Sequence, residues 1–294
     1  MRIPALPLTW LYAPGDHPEV VAKALVSGAD VVLIDLEDAV APHRKKYARA
    51  ATAELLSDPP PVPVHVRVNA LDGPFAEADL RTLAPLPGLS GLRLPKVTSP
   101  ADVVRVAEHS APSEGGAIPL YALLESALGV EHAFVIAAAH PAVRGIGLGE
   151  ADLRADLGVR EDAGLDWARA RIVVAARAAG LAPPTQSIYP DIRDLEGLAA
   201  SCAHGRTLGF LGRAAIHPRQ LPVIEHAYLP TPAEVETAEL IVKAAATEPG
   251  AQALPDGRFV DAAVVGGGRP APGASRPPLL YLAGGAGGPG GAPA

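Results

Sequence analysis

A single cysteine, Cys202, in a chain of 294 residues excludes an internal disulfide and any thiolate metal cluster. Aromatic side chains make up only 4% of the chain, so the volume of a core has to come from Ala, Val, Leu and Ile. No apolar run approaches the roughly 20 residues of a membrane span. The apolar stretch after Arg2 is broken by Pro4 and Pro7, which argues against a secretory signal. Basic residues are outnumbered, 25 against 32 acidic, and the net charge of −7 argues against a general nucleic-acid binder. What is present is a hydrophobic fraction of 49% with 19% charged residues, enough for a sizeable core and incompatible with wholesale disorder. The expectation is a soluble cytoplasmic protein with neither membrane nor nucleic acid as partner.

Short β-branched runs recur along the chain, each ending in turn or polar residues and followed by an Ala-rich helical pattern. The runs predict eight strands, at 8–13, 31–35, 62–68, 91–95, 118–124, 143–148, 186–189 and 210–216. Helices are predicted at 19–27, 43–57, 75–83, 101–110, 130–139, 165–179 and 191–207. Most of the strand runs are continuously apolar, as in a parallel sheet covered by helices on both faces. Eight such units predict an α/β fold, a closed (β/α)8 TIM barrel over residues 1–224. A doubly wound open sheet is the alternative, but no Gly-x-Gly-x-x-Gly follows the first strand. Thr231-Pro232 and Glu234 then open a helix predicted at 233–246, within a small appendage over 225–265. From Gly266 to Ala294, 16 of 29 residues are Gly or Pro, a composition that predicts a mobile tail.

In a parallel barrel the strand carboxyl ends carry the chemistry, and here polar groups terminate nearly every strand. The second ends in Asp35, Glu37 and Asp38, the third in Arg67 and Asn69, the fourth in Lys96, the fifth in Glu125 and the sixth in Glu150 and Asp152. Glu125 and Asp152 follow neighbouring strands, and two facing carboxylates repel unless a cation or proton lies between them. An oxygen-only pair with open positions suits Mg2+. The competing reading is that each caps a helix or pairs with Arg154 or Arg144. Arg67 at the end of an apolar strand calls for an anion, either a substrate carboxylate or oxyanion, or Glu37 and Asp38. The two coexist if Glu37 holds Arg67 in position. Lys96 reads as a charged structural lysine rather than a Schiff-base lysine, because carboxylates surround it. His217 reads equally as a ligand, a base or a positioned turn, and Cys202 reads as core.

Trp10-Leu11-Tyr12-Ala13-Pro14-Gly15-Asp16-His17-Pro18 and Leu33-Ile34-Asp35-Leu36-Glu37-Asp38-Ala39-Val40 resemble the citrate lyase β-subunit-like CoA-ester lyases of the citrate lyase/HpcH aldolase superfamily. Arg67-Val68-Asn69, Pro95-Lys96-Val97, Leu124-Glu125-Ser126-Ala127, Asp152 to Gly158, Tyr189-Pro190-Asp191 and Ile216 to Gln220 continue the likeness in order. The resemblance implies Mg2+ held by Glu125 and Asp152, which with Arg67 bind the keto acid. It also implies that Asp261 acts as acid–base from a neighbouring subunit in a homotrimer or dimer of trimers. His17 and Lys96 are the candidate contacts to the cofactor thioester, although His17 stands where the family commonly has Arg. Arg213 replaces a frequent Lys, and the acidic neighbour of Asp152 is shifted to Glu150. The implied activity is cleavage of a citryl-, malyl- or citramalyl-type thioester of CoA or of a carrier protein. Its products are an α-keto acid (oxaloacetate, glyoxylate or pyruvate) and an acyl thioester. The rivals are a carrier-dependent citryl lyase subunit, a malyl-CoA thioesterase and a non-catalytic barrel.

Overall fold

The structure is a computed structural model that describes residues 6–110, 117–247, 252–253 and 259–260. Residues 7–228 form one compact unit; the described residues from Leu229 onward belong, with Leu6, to another.

In the first unit strands and helices alternate as β1 (Thr9–Pro14), α1 (Pro18–Leu25), β2 (Val31–Asp35), α2 (Lys45–Leu56), β3 (Val64–Arg67), α3 (Ala76–Leu83), β4 (Leu89–Leu94), α4 (Pro100–His109) and β5 (Leu120–Leu124). Two short helices, α5 (Ala127–Glu131) and α6 (Ala133–Ala137), precede β6 (Val143–Leu148), α7 (Glu150–Leu157), α8 (Asp166–Ala178), α9 (Leu195–Leu208), β7 (Arg213–Ala215) and α10 (Leu221–Tyr228). The strands make one parallel sheet in the order β6-β5-β4-β3-β2-β1-β7. β2, flanked by β1 and β3, is buried at all five positions, which is why its sequence is an unbroken Val-Val-Leu-Ile-Asp run. The sheet curls, because residues of β1, β3, β4, β5, β6 and β7 line one common cavity.

The strand expected at 186–189 contracts to a single bridge between Gln186 and Arg213. Gln186 N donates to Gly212 O at 3.1 Å, and Ala214 N donates to Gln186 O at 3.0 Å. Pro184 and Pro190 flank the segment, and neither has an N–H for a longer ladder. Across from it, Glu150 N donates to Ser187 Oγ at 3.4 Å. Among the described residues the ladder therefore has seven strands rather than the eight expected. The helix expected at 130–139 breaks into α5 and α6, which meet at His132.

α7 and α10 were not expected. α7 is short and polar, with a weak apolar stripe, and ends on Gly158 at φ 64°, the left-handed conformation a glycine supplies cheaply. α4 is opened by Pro100 and held at its start by a reciprocal capping box between Ser99 and Asp102.

The second unit contains α11 (Pro232–Thr247), opened by Thr231 and Glu234, and an antiparallel pair, β8 (Gln252–Ala253) with β9 (Phe259–Val260). Asp261 and the tail from Gly266 lie outside the described residues.

Candidate active site

The carboxyl ends of β2, β3, β4 and β5 and the first turn of α7 deliver five carboxylates around two cations. Arg67, at the end of β3, stands directly opposite Asp35 of β2 in the sheet register. Its Nε donates to Asp35 Oδ1 and its Nη2 to Asp35 Oδ2, both at 2.7 Å, a bidentate fork. Nη1 lies 3.0 Å from Glu37 Oε2 and 3.5 Å from Asp38 Oδ2. Asp35 also accepts from Glu37 N at 2.9 Å and Ala39 N at 3.0 Å. Burial pushes the Asp35 carboxyl up, but Arg67 and these two N–H groups outweigh it and hold the carboxyl below its ordinary value. The same fork raises Arg67 against the opposing effect of burial. Lys45 pins the turn after β2 from below, its Nζ donating to Leu36 O at 2.7 Å and Glu37 O at 2.6 Å.

Lys96 follows β4 with φ 53°, a positive value for a residue with a side chain, which costs on the order of 1–3 kcal/mol. That backbone aims its ammonium into the carboxylate cluster. Nζ donates to Glu37 Oε1 at 2.5 Å and lies 3.7 Å from Glu125 Oε2, 3.8 Å from Asp152 Oδ2 and 3.9 Å from Asp38 Oδ1. Burial alone would lower Lys96, but Glu37, then Glu125 and Asp38, raise it, so it is charged. These contacts are all to carboxylates.

Glu125 and Asp152 thus converge on one ammonium, and neither is ion-paired with Arg144 or Arg154 among the described residues; Arg154 instead meets Asp162 at 2.9 Å. Glu125 is buried and its Oε2 has no hydrogen-bond partner. Burial, followed by the charge of Glu37, pushes its carboxyl up to about 7. Gly149 makes room for it, since a Cβ there would lie 2.5 Å from Glu125 Oε1. Glu150, the shifted acidic neighbour, is turned away: Arg169 grips it at 2.7 and 2.9 Å and ties α7 to α8.

Two cavities meet at this pair. The outer one, about 590 Å³, is lined by Lys96, Thr98, Arg105, Glu125, Ser126 and Asp152 among others. The inner one, about 250 Å³, is lined by Tyr12, Arg67, Arg93, Glu125, Gly147 and Asp152 among others. His17 is not brought to the cluster: its partners are Glu19, 3.0 Å from Nδ1, and Asp16, 3.8 Å from Nε2. His217 caps a turn, its Nδ1 accepting from Arg219 N at 3.1 Å. Cys202 is buried in α9 beside Arg213, whose Nη1 also donates to Ser201 Oγ at 2.9 Å. Two features of the site are not legible in the sequence: the partner of Asp35 and the presence of Arg93. Asp35 was seen as a strand-end carboxylate but not as the partner of Arg67, because that pairing follows from register. Arg93 was absorbed into an apolar run, although an arginine inside such a run was itself a signal.

Residues 8–218 match the family described as HpcH/HpaI aldolase/citrate lyase. The chain belongs to that family. It is 37% identical to the (3S)-malyl-CoA thioesterase of Cereibacter sphaeroides over 78% of this chain and 79% of that one. It is 33% identical to the citrate lyase subunit beta of Haemophilus influenzae, over 87% and 92% of the two chains. Among solved structures it is similar to CitE of Mycobacterium tuberculosis in complex with magnesium, acetoacetate and coenzyme A. That match has a TM-score of 0.73 and 34% identity, and covers 89% of this chain and 95% of that one.

The residues present fit a magnesium ion. Two carboxylates, one with an orphaned buried oxygen, leave open positions for water and ligand oxygens, as Mg2+ prefers. Among the described residues no three His, Cys, Asp or Glu side chains form an all-protein cage. The raised carboxyl of Glu125 gives a pH signature. Its folded value lies above the ordinary 4.5, so its contribution to stability is complete below 4.5 and is lost as pH rises through about 7. A divalent ion binds the carboxylate, not the acid. Magnesium should therefore raise the melting temperature more at pH 8 than at pH 6; an equal rise at both would contradict the assignment of Glu125.

Proposed function

We propose that this chain is a magnesium-dependent lyase of acyl thioesters, cleaving a carbon–carbon bond of a citryl-, malyl- or citramalyl-type thioester into an α-keto acid and an acyl thioester. The observation that carries the reading is the convergence of Glu125 and Asp152 on one cation at the boundary of a small inner and a larger outer cavity. The inner cavity suits the oxo acid and the outer one the thioester arm. The outer lining carries Asp72, Asp102, Glu125, Asp152 and Asp156 against Lys96 and Arg105, so it suits the neutral pantetheine arm rather than phosphates. That arm is shared by CoA and by carrier proteins. His17, paired with carboxylates, is a weaker candidate for a phosphate contact than its place in the motif suggests.

Magnesium, when bound by Glu125 and Asp152, supplies Lewis-acid polarisation of the oxo-acid oxygens. The chain supplies the rest. Arg67, immobilised by Asp35 and Glu37, presents fixed positive charge at the cavity wall where the new carbonyl forms. Lys96 is held by Glu37, so that Glu125 and Asp152 remain longer contacts available to a metal. A base takes the hydroxyl proton, the carbon–carbon bond breaks toward the thioester, and the resulting enolate is protonated. Asp261 is the acid–base this reading assigns, reaching the site from a neighbouring copy in a homotrimer or dimer of trimers. The same reading takes the curled sheet as a (β/α)8 barrel whose remaining position is the Gln186 segment, with a cytoplasmic location.

The similarity to a malyl-CoA thioesterase favours one second reading, hydrolysis at the same site. Purified protein with Mg2+ and citryl-, malyl- or citramalyl-CoA separates them. The lyase releases keto acid without free thiol, and excess chelator abolishes the release. Free thiol without keto acid would establish the hydrolase, and keto acid persisting in chelator would overturn the metal assignment.

A further inference from the structure

Arg93 of β4 lines the inner cavity and is 93% buried, yet among the described residues no carboxylate lies within ion-pair distance of it. Its Nε is buried without a hydrogen-bond partner. It is held instead by aromatic faces, with Cζ 5.3 Å from the centroid of Tyr121 and 5.9 Å from that of Trp10. His65, stacked on Tyr121 at 4.6 Å, closes the layer below.

Arg93 also stands directly across from Arg67 in the register of β3 and β4. Like charges opposite each other on one face of a sheet destabilise it, and a buried unpaired cation is costly. Arg67 is neutralised by Asp35, Glu37 and Asp38, so its anion requirement is met within the protein. Arg93 has no such relief. Folding alone gives no reason for a guanidinium there, whereas an anionic ligand entering the inner cavity does. The acidic side chains of the lining are engaged elsewhere: Asp38 lies 3.5 Å from Arg67, Glu150 is gripped by Arg169 at 2.7 Å, and Glu125 and Asp152 are the pair assigned to the metal. Tyr12, Leu123, Gly147 and Ala214 carry no charge.

We propose that Arg93 is the anion receptor of the inner cavity, taking the carboxylate of a 2-oxo acid that points away from Glu125 and Asp152. The site then selects dicarboxylic over monocarboxylic oxo acids. This rests on the lyase reading for the identity of the ligand as an oxo acid, but its test needs no turnover.

Calorimetric titration of the magnesium-saturated full chain with oxaloacetate and with pyruvate measures the preference directly. Oxaloacetate should bind at least about tenfold tighter than pyruvate. In Arg93→Met that gap should close, with oxaloacetate weakened and pyruvate unchanged. Arg93→Lys keeps the charge but loses the planar fork, and should retain part of the preference. It also serves as the variant to read if Arg93→Met does not fold. Three results would overturn the assignment: no oxaloacetate binding to the unmodified protein, no preference in it, or a preference that survives loss of the guanidinium in both variants. The lyase reading fails separately, when no thioester is cleaved although oxo acids still bind with the ratio described.

Discussion

Glu125→Gln and Asp152→Asn are each expected to lower kcat for thioester cleavage by about a thousandfold or more, with the fold intact. The amide keeps size and shape but removes the charge a divalent ion requires, and metal polarisation of an oxygen is worth several kcal/mol, at about 1.4 kcal/mol per tenfold in rate. The two variants should differ in stability. Glu125 is buried, with its carboxyl pushed up to about 7, so its neutral amide should leave the metal-free protein at least as stable near neutral pH. The side chain of Asp152 is 51% exposed, so its loss should hardly move the melting temperature. Steady-state assays at saturating magnesium, with thermal melts of the same preparations, check both halves. Near-normal turnover in either variant would remove that residue from the metal site.

Asp35→Ala should be the most damaging single change to the fold of the site. It strips Arg67 of both bonds of its fork and leaves Glu37 N and Ala39 N without their acceptor. Breaking a buried ion pair by removing one partner costs about 3–5 kcal/mol, which in a domain of this size lowers the melting temperature by on the order of 10 °C. Arg81→Ala is the control. It removes an exposed pair with Glu77 at 3.3 Å and should change nothing measurable. Scanning calorimetry distinguishes the two. Equal melting temperatures for Asp35→Ala and the unmodified protein would show that Arg67 is held by Glu37 and Asp38 alone.

The contrast between these residues shows how far the amino-acid order could be read. β2 announces itself through Val31 to Ile34, because a strand buried on both faces has no alternation to disguise it. The polar residues just beyond the strands were legible as site candidates, and Arg67, Lys96, Glu125 and Asp152 do line shared cavities. Pairing was less legible. Asp35 meets Arg67 because β2 and β3 align in one register, and a sequence records strands but not their offset. Arg93 was hidden for the opposite reason: inside Leu89–Leu94 its four buried apolar or glycine neighbours made the whole stretch look like core. The run 186–189 has strand-forming residues, yet the prolines beside it allow one bridge and no ladder. α7 was missed because its apolar face is a single buried residue, Leu153, too little for a periodic signal.

In the proposed site Glu125 and Asp152 jointly hold one divalent ion. Calorimetric titration of magnesium into the metal-free protein addresses it without any assumption about substrate. The account predicts one ion per chain, with affinity at least about a hundredfold weaker in both Glu125→Gln and Asp152→Asn. Unchanged affinity in the double variant would contradict it.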